Sequence, residues 1–209
     1  MASEREEKLR DEREEFENVF EILQKQLLAA SVHYYIWEHL WPTEKVVDVI
    51  NQYIGFFQPT RDAHLDRLII KVSDILSYKP NAPSFYRILN MLGGNSSLAP
   101  DVNVREIKKR LKKHRKVLEA IKYFRNNRVA HWNTSVEKLA KPVLFGDTKR
   151  MLTELKSISN EISGSHSRMI HAFRYSQQGD TIALLDGLKK KRDEDQKRIE
   201  RLKRRINND

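Results

Sequence analysis

Apolar residues recur at three- and four-residue intervals along most of the chain, and no stretch alternates in the manner of a half-buried strand. The longest stripe predicts a first helix over residues 4–40, which Pro42 ends because proline lacks the N–H that continues the helical ladder. The stripe comprises Phe16, Val19, Phe20, Leu23, Leu27, Ala30, Tyr34 and Trp37. The pattern therefore predicts an all-α protein.

The remaining stripes predict six further helices, with the most loop-like segment at residues 93–103. They cover residues 43–55, 60–76, 84–92, 103–132 and 147–173, and a last helix runs from Asp180 into the tail. We expect Thr43, Thr60 and Asp147 to cap the helices that they begin. The apolar residues near the end of the sixth helix, Met169, Ile170 and Phe173, are expected to face inward. We predict one helical bundle with long antiparallel helices over residues 1–186, and a basic helical extension over residues 187–209.

Composition excludes several classes of protein. The 209 residues include no Cys, which excludes a disulfide scaffold, a Cys-ligated metal site and a thiol nucleophile. No apolar run approaches the roughly 20 residues that cross a bilayer. The N-terminus is charged from its fourth residue, unlike a secretory signal. We therefore expect a cytoplasmic protein that does not associate with membranes.

The formal charge of +10 is unevenly distributed. Residues 1–21 hold nine acidic and four basic residues, whereas residues 105–119 hold eight basic and two acidic ones. The tail at residues 187–209 holds ten basic and five acidic residues. A basic block can bind phosphates, because each Lys or Arg that meets a phosphate releases a counterion. For the tail alone, a solvated helix face is the more usual explanation.

One segment, residues 121–133, combines residue types that suit phosphodiester chemistry. It follows the basic block directly and contains Arg125, Asn126, Asn127, Arg128 and His131. Histidine titrates near neutral pH, and the arginine fork matches a phosphate. These side chains suit cleavage of RNA by a neighbouring 2′-hydroxyl, with His131 accepting the proton and arginine stabilising the charge on the phosphate.

No metal or other cofactor is predicted. The chain has no phosphate-binding Gly-rich loop, no H-E-x-x-H and no G-x-S-x-G. Its paired histidines are five or six residues apart, whereas a helical metal site favours a spacing of four. His64 and His114 are expected to stand alone on polar faces.

Arg125-Asn126, followed by four residues and then His131, resembles the R-x(4–6)-H motif of the HEPN superfamily. The ending Ala130-His131-Trp132-Asn133 resembles the abortive-infection branch. The resemblance implies a HEPN-like helical bundle and a metal-independent endoribonuclease that acts as a toxin or an abortive-infection effector in phage defence. It implies a homodimer with the active site at its interface, and an antitoxin protein as a further partner. Under it, Arg125 and His131 are catalytic, and Asn126 and Arg128 orient the phosphate or each other. RNA would be held by Lys108, Lys109, Lys112, Lys113 and Arg115.

Two departures from the HEPN pattern matter. Arg125 and His131 are six residues apart, so about 120° separates them around a straight helix, whereas Arg128 shares a face with His131. Either the helix distorts before His131, or arginine and histidine meet across a dimer. Asn133 occupies the place where some toxin members carry a tyrosine that a partner nucleotidyltransferase modifies.

Three other interpretations stay open. The cations of residues 125–131 could simply cap a helix C-terminus, where positive charge meets the helix dipole. The bundle could be a non-catalytic dimeric module that binds RNA or protein. It could also be a basic scaffold that binds DNA or an acidic partner through residues 187–209.

Overall fold

The computed structural model describes residues 2–41, 43–44, 46–129, 145–173 and 177–206. Within these ranges the chain forms eight α-helices and no strand, which confirms the predicted all-α fold. The helices are α1 (Ala2–His39), α2 (Val47–Gln52), α3 (Ile54–Ile75), α4 (Phe85–Gly94), α5 (Val104–Lys113), α6 (Arg115–Phe124), α7 (Phe145–Ser167) and α8 (Gln177–Ile206). A 3-10 turn covers Ser96–Leu98, and a π-helical turn, Arg125–Val129, follows α6. None of the helices in the described ranges is long and apolar enough to cross a membrane.

The chain divides into two compact units. Unit 1 comprises Met1–Ser31 and Asp66–Arg174, and unit 2 comprises Val32–Leu65 and Tyr175–Asp209. Helix α8 runs without interruption through residues 186 and 187. The separation of a basic extension at residue 187 stays a prediction.

The core of unit 1 takes side chains from six helices. The predicted stripe of α1 is buried from Phe16 to Ala30, and it is joined by apolar residues from the second half of α3 and from α4 to α7. These include Leu68, Ile69, Val72, Ile75, Phe85, Ile88, Leu89, Ile107, Leu111, Leu118, Ile121, Met151, Leu155, Ile158 and Ile162. Helix α5 contacts α4, and α7 contacts both α5 and α6. This packing leaves one side of α5 and α6 free to carry charge.

Unit 2 has its own small apolar core. Leu40, Val49, Ile50, Phe57 and Leu185 are buried together, and Leu188 packs against them from the edge. Arg192 Nη1 donates to Asp48 Oδ2 at 2.9 Å, which ties α8 to α2. Further along α8, the apolar side chains are exposed.

Several helix boundaries differ from the predicted ones. The helix predicted over residues 103–132 is interrupted at His114, whose φ of −92° and ψ of 8° end α5 and begin α6. Helix α7 ends at Ser167, and Arg168 takes a positive φ of 57°. Met169 and Ile170 are consequently exposed rather than inward-facing.

The predicted caps also differ. Helix α3 begins at Ile54, so Thr60 lies inside it and donates its hydroxyl to the Phe56 carbonyl at 2.7 Å. Val46, and not Thr43, occupies the N-cap position of α2, and its side chain makes no capping hydrogen bond. The Thr43 carbonyl accepts a hydrogen bond from the Val47 N–H. Asp147 lies in the first turn of α7.

Candidate functional site

The basic block of the sequence lies on α5 and α6, and the fold gives its members different tasks. Arg110 faces α7, where its guanidinium contacts Glu154 and Glu161, each at 2.5 Å. This arginine therefore joins two helices and does not point to a ligand. Lys108, Lys112 and Arg115 follow one another at four- and three-residue spacing and share the neighbouring face of α5 and α6.

That face lines a groove in unit 1 with a volume of about 800 Å³. The other walls are the turn that contains Tyr78, Lys79 and Pro80 and one side of α4. Among the described residues that line the groove, six are basic and only Glu119 is acidic. The basic residues are Lys79, Arg87, Lys108, Lys112, Arg115 and Lys122. A concave surface with this excess of cations attracts an anionic polymer.

The cations of the groove are not equally available. Arg87 Nη2 is 2.7 Å from Glu15 Oε1, and its Nη1 donates to the Asn81 carbonyl at 3.0 Å. Arg115 Nε is 2.6 Å from Glu119 Oε1. Lys79, Lys108 and Lys112 are exposed and form no ion pair within the described part of the chain. These three lysines, two of them on α5, are therefore the cations best placed to receive a phosphate.

The structure divides the five residues predicted to bind RNA. Lys108, Lys112 and Arg115 line the groove. Lys109 and Lys113 do not line it, and Lys109 Nζ lies 3.7 Å from Glu106 Oε2 on the same helix. The role of all five in RNA binding stays a prediction.

Sequence reasoning missed the aromatic part of the groove. The rings of Tyr78 and Tyr86 stack with centroids 4.0 Å apart, and the Tyr78 hydroxyl donates to the Tyr86 hydroxyl at 2.8 Å. Burial, helped by this hydroxyl contact, raises the pKa of Tyr86 above its ordinary value. Lys122 Nζ lies 4.8 Å from the centre of the Tyr78 ring. The available signal was two tyrosines on either side of a turn bracketed by Pro80 and Pro83.

The motif begins where α6 changes into the π-helical turn. Arg125 caps α6 with φ −54° and ψ −47°, and its Nε and Nη2 donate to Asn126 Oδ1 at 3.3 and 3.2 Å. Asn127 Nδ2 donates to the Tyr123 carbonyl at 2.8 Å. Single π-helical turns frequently occur at functional sites. Arg125 itself keeps α-helical dihedral angles, but the wider turn means that the angle calculated for a straight helix does not apply to the residues that follow it.

Arg125 extends the groove-lining side of α6. It follows Lys122 by three residues and Leu118 by seven, which is two helical turns, and both of these residues line the groove. At ~1.5 Å per residue, the Arg125 Cα lies about 4–5 Å beyond that of Lys122 along the helix axis. The helix therefore leads from a basic surface directly to the first residue of the motif.

The other half of the motif is known from the sequence alone. Ala130 to Asn133, and with them His131, lie outside the described residues. The backbone of Arg128 lies in the π-helical turn, but its side chain is not among the parts of the chain that the structure describes. The catalytic roles of Arg125, Asn126, Arg128 and His131 stay predictions.

One prediction about the histidines is wrong. His64 does not stand alone, because its Nδ1 lies 2.9 Å from Nδ1 of His33 within unit 2. Burial lowers the pKa of His64. Within the described ranges, no group of three or more His, Asp or Glu is arranged to hold a metal ion.

Comparison with known proteins identifies the family. The model of the HEPN_AbiU2 family, described as AbiU2, matches residues 13–184, which is most of the chain. Searches of the curated proteins and of the solved structures found no match. The matched range contains the basic helices, the π-helical turn and the whole R-x(5)-H motif. On this match and its all-α fold, the chain belongs to the HEPN_AbiU2 family, in the abortive-infection branch of the HEPN superfamily.

Proposed function

We propose that this protein is a metal-independent endoribonuclease that acts in the cytoplasm as a toxin or an abortive-infection effector in phage defence. The observation that carries the proposal is the position of Arg125. It begins the HEPN motif at a π-helical turn, directly after a helix whose basic side lines an 800 Å³ groove. Family membership supports the interpretation of Arg125 to His131 as a HEPN motif, and the groove has room for an RNA strand.

In the proposed reaction, the RNA backbone lies along the groove and its phosphates meet Lys108 and Lys112. His131 accepts the proton of a ribose 2′-hydroxyl, whose oxygen then attacks the adjacent phosphorus. The bond from phosphorus to the 5′-oxygen of the next nucleotide breaks, and that oxygen takes up a proton. The products are a 2′,3′-cyclic phosphate end and a 5′-hydroxyl end.

Arg125 stabilises the negative charge that grows on the non-bridging phosphate oxygens, because its guanidinium can donate two hydrogen bonds to a phosphate. Asn126 orients this guanidinium through the two hydrogen bonds that its Oδ1 accepts. Arg128 supplies a second positive charge in the same turn. None of these steps uses a metal or another cofactor.

The proposed active form is a homodimer in which two motifs face each other, with Arg125 of one protomer acting beside His131 of the other. This arrangement answers the spacing problem, since the two residues need not meet within one helix. An antitoxin protein is proposed as the partner that holds the activity in check.

The experiment is incubation of purified protein with RNA in EDTA, comparing wild type with His131→Ala. We expect the wild type to cleave RNA in EDTA and the variant to cleave it about 10²- to 10⁴-fold more slowly. The variant should bind RNA as tightly as the wild type. A strict requirement for added divalent metal would contradict the proposal.

A second candidate is a non-catalytic module that binds RNA through the same groove. It is favoured by the exposed lysines that line the groove, which can bind phosphates whether or not the motif cuts RNA. This candidate expects His131→Ala to leave the cellular phenotype unchanged, whereas Lys108→Glu with Lys112→Glu abolishes it.

A further inference from the structure

We propose that Tyr78, supported by Tyr86, is a stacking site for one unpaired nucleobase of an RNA strand in the groove. The inference rests on the proposed RNA-cleaving function and adds to it a site that contacts a base. The lysines of the groove cannot supply such a contact, because they meet phosphates, which every nucleotide carries. A base held at Tyr78 would determine which phosphodiester bond reaches Arg125.

The Tyr78 ring is both exposed and held in place. It is 65% exposed, although it stacks on the ring of Tyr86. Tyr86, in the first turn of α4, supports it with an interplanar angle of 25° and a hydroxyl contact of 2.8 Å. A ring that is oriented before its ligand arrives loses little conformational entropy on binding.

Lys122 is the present neighbour of this ring, with its Nζ 4.8 Å from the centroid. At an exposed site, such a cation–ring contact is worth about 2- to 5-fold in an equilibrium constant. Stacking of a nucleobase on an aromatic side chain is worth about 5- to 150-fold. A base is therefore expected to displace the Lys122 ammonium from the ring. The flexible four-carbon stem of the lysine allows the ammonium to move to an adjacent phosphate.

The surroundings of Tyr78 match the composition of a single-strand binding site. Lys79 follows it in the chain, and Lys112 and Arg115 lie along α5 and α6 in the same groove. Proteins that bind single strands combine such a cationic track with aromatic side chains that stack with bases. Asn90, exposed on α4, adds an amide that can bond to a base edge.

The test uses eight-nucleotide RNAs in which every ribose is 2′-O-methylated, so that binding is measured without cleavage. Each oligonucleotide lacks the base at one position in turn. Fluorescence anisotropy then gives the affinity of wild type, Tyr78→Leu and Tyr78→Phe for each. Leucine keeps apolar bulk without a ring, whereas phenylalanine keeps the ring and removes only the hydroxyl.

We expect Tyr78→Leu to bind the intact oligonucleotide about 5- to 150-fold more weakly and Tyr78→Phe to bind like wild type. Removal of one particular base from the oligonucleotide should lower its affinity for the wild type by a similar factor. The same removal should not lower its affinity for Tyr78→Leu any further. The proposal is overturned if Tyr78→Leu binds as tightly as wild type, if no base position stands out, or if wild type does not bind. Failure of the nuclease proposal is separate, since unmodified RNA would then stay uncut while the base-specific profile persists.

Discussion

Arg125 is the described residue on which the proposed chemistry depends most. Its guanidinium is held by the side chain of the next residue, and it stands at the first position of a π-helical turn. An arginine that served only as a helix cap would need neither the asparagine acceptor nor the change of helix type. The geometry is that of a donor kept in one orientation.

Replacing Arg125 by Ala should lower the rate of RNA cleavage by about 10²- to 10³-fold, because a charge-stabilising donor is lost from the transition state. Arg125→Lys should recover little of this, since an ammonium cannot make the two parallel bonds of the fork. Single-turnover kinetics on a defined RNA measures the effect. Arg105→Ala, at an exposed arginine of α5 outside the groove, is the matched control and should cleave normally.

The lysines of α5 offer a second test within one helix. Lys108 and Lys112 line the groove, whereas Lys109 and Lys113 do not. Replacing the first pair by Ala should weaken RNA binding and reduce the slope of log affinity against log salt by about 1.4, at roughly 0.7 per phosphate contact for a single strand. Replacing the second pair removes the same charge and should leave the slope unchanged. Equal effects of the two pairs would mean that the helix attracts RNA only through its overall charge.

At the scale of helices, Arg110 fixes α5 against α7. Its side chain is only 20% exposed and bridges Glu154 and Glu161. This contact determines which side of α5 remains for the groove. A basic residue in the middle of a basic block therefore has a structural task, and its charge alone does not show that.

Arg110→Leu should lower the free energy of unfolding by about 1–3 kcal/mol, because two partly buried carboxylates lose their shared cation. Urea denaturation followed by circular dichroism measures this. Arg105→Leu makes the same substitution at an exposed position and should change stability by less than about 0.5 kcal/mol. An equal effect at both positions would show that the contact with α7 contributes nothing.

The helices could be predicted from the sequence where the apolar residues at helical spacing are also the ones that are buried. The stripe of α1 from Phe16 to Trp37 is buried as its spacing indicates. The break at His114 could not be predicted, because Ile107, Leu111, Leu118 and Ile121 keep helical spacing across it and all are buried. A backbone turn of one residue leaves almost no trace in an apolar pattern.

Only part of the candidate site could be predicted from the sequence. Arg125 and the basic helix follow from residue types and their proximity in sequence. The π-helical turn depends on hydrogen bonding that spacing does not encode, and the Tyr78–Tyr86 stack depends on how the turn between α3 and α4 folds. Met169 and Ile170 were predicted to face inward but are exposed, because apolar residues at helical spacing do not always enter a core.

At the scale of the whole molecule, each unit holds a histidine that resists protonation. Burial lowers the pKa of His64 in unit 2, and burial also lowers that of His114 in unit 1, although the nearby carboxylate of Glu154 opposes it. Below about pH 6.5 the unfolded chain binds protons that the folded chain does not, so stability falls as the pH decreases. Above that pH these two histidines contribute no pH dependence.

We therefore expect the free energy of unfolding to decrease from pH 7 to pH 5, as measured by urea denaturation at each pH. His64→Gln together with His114→Gln should flatten this dependence, because the amide does not titrate. His171→Gln makes the same substitution at an exposed histidine and serves as the control. A double variant with the wild-type slope would contradict the assignment.

The proposed dimer makes a prediction about mixed protomers. If Arg125 of one protomer acts beside His131 of the other, a dimer of Arg125→Ala and His131→Ala chains contains one intact site. Co-refolding the two inactive variants should restore about a quarter of the wild-type rate, since half of the dimers are mixed and each has one of two sites. Absence of any recovery, with dimers present in light scattering, would place arginine and histidine in the same protomer.

The central claim is that this HEPN_AbiU2 family member cuts RNA with the substrate's own 2′-hydroxyl. Mass spectrometry of the ends produced in EDTA tests it, with two oligonucleotides that differ only by a 2′-deoxy substitution at the cleaved nucleotide. The account predicts 2′,3′-cyclic phosphate and 5′-hydroxyl ends from the ribonucleotide, and no cut at the substituted position. Cleavage of both oligonucleotides at that bond would contradict it, as would intact RNA after incubation with wild-type dimer.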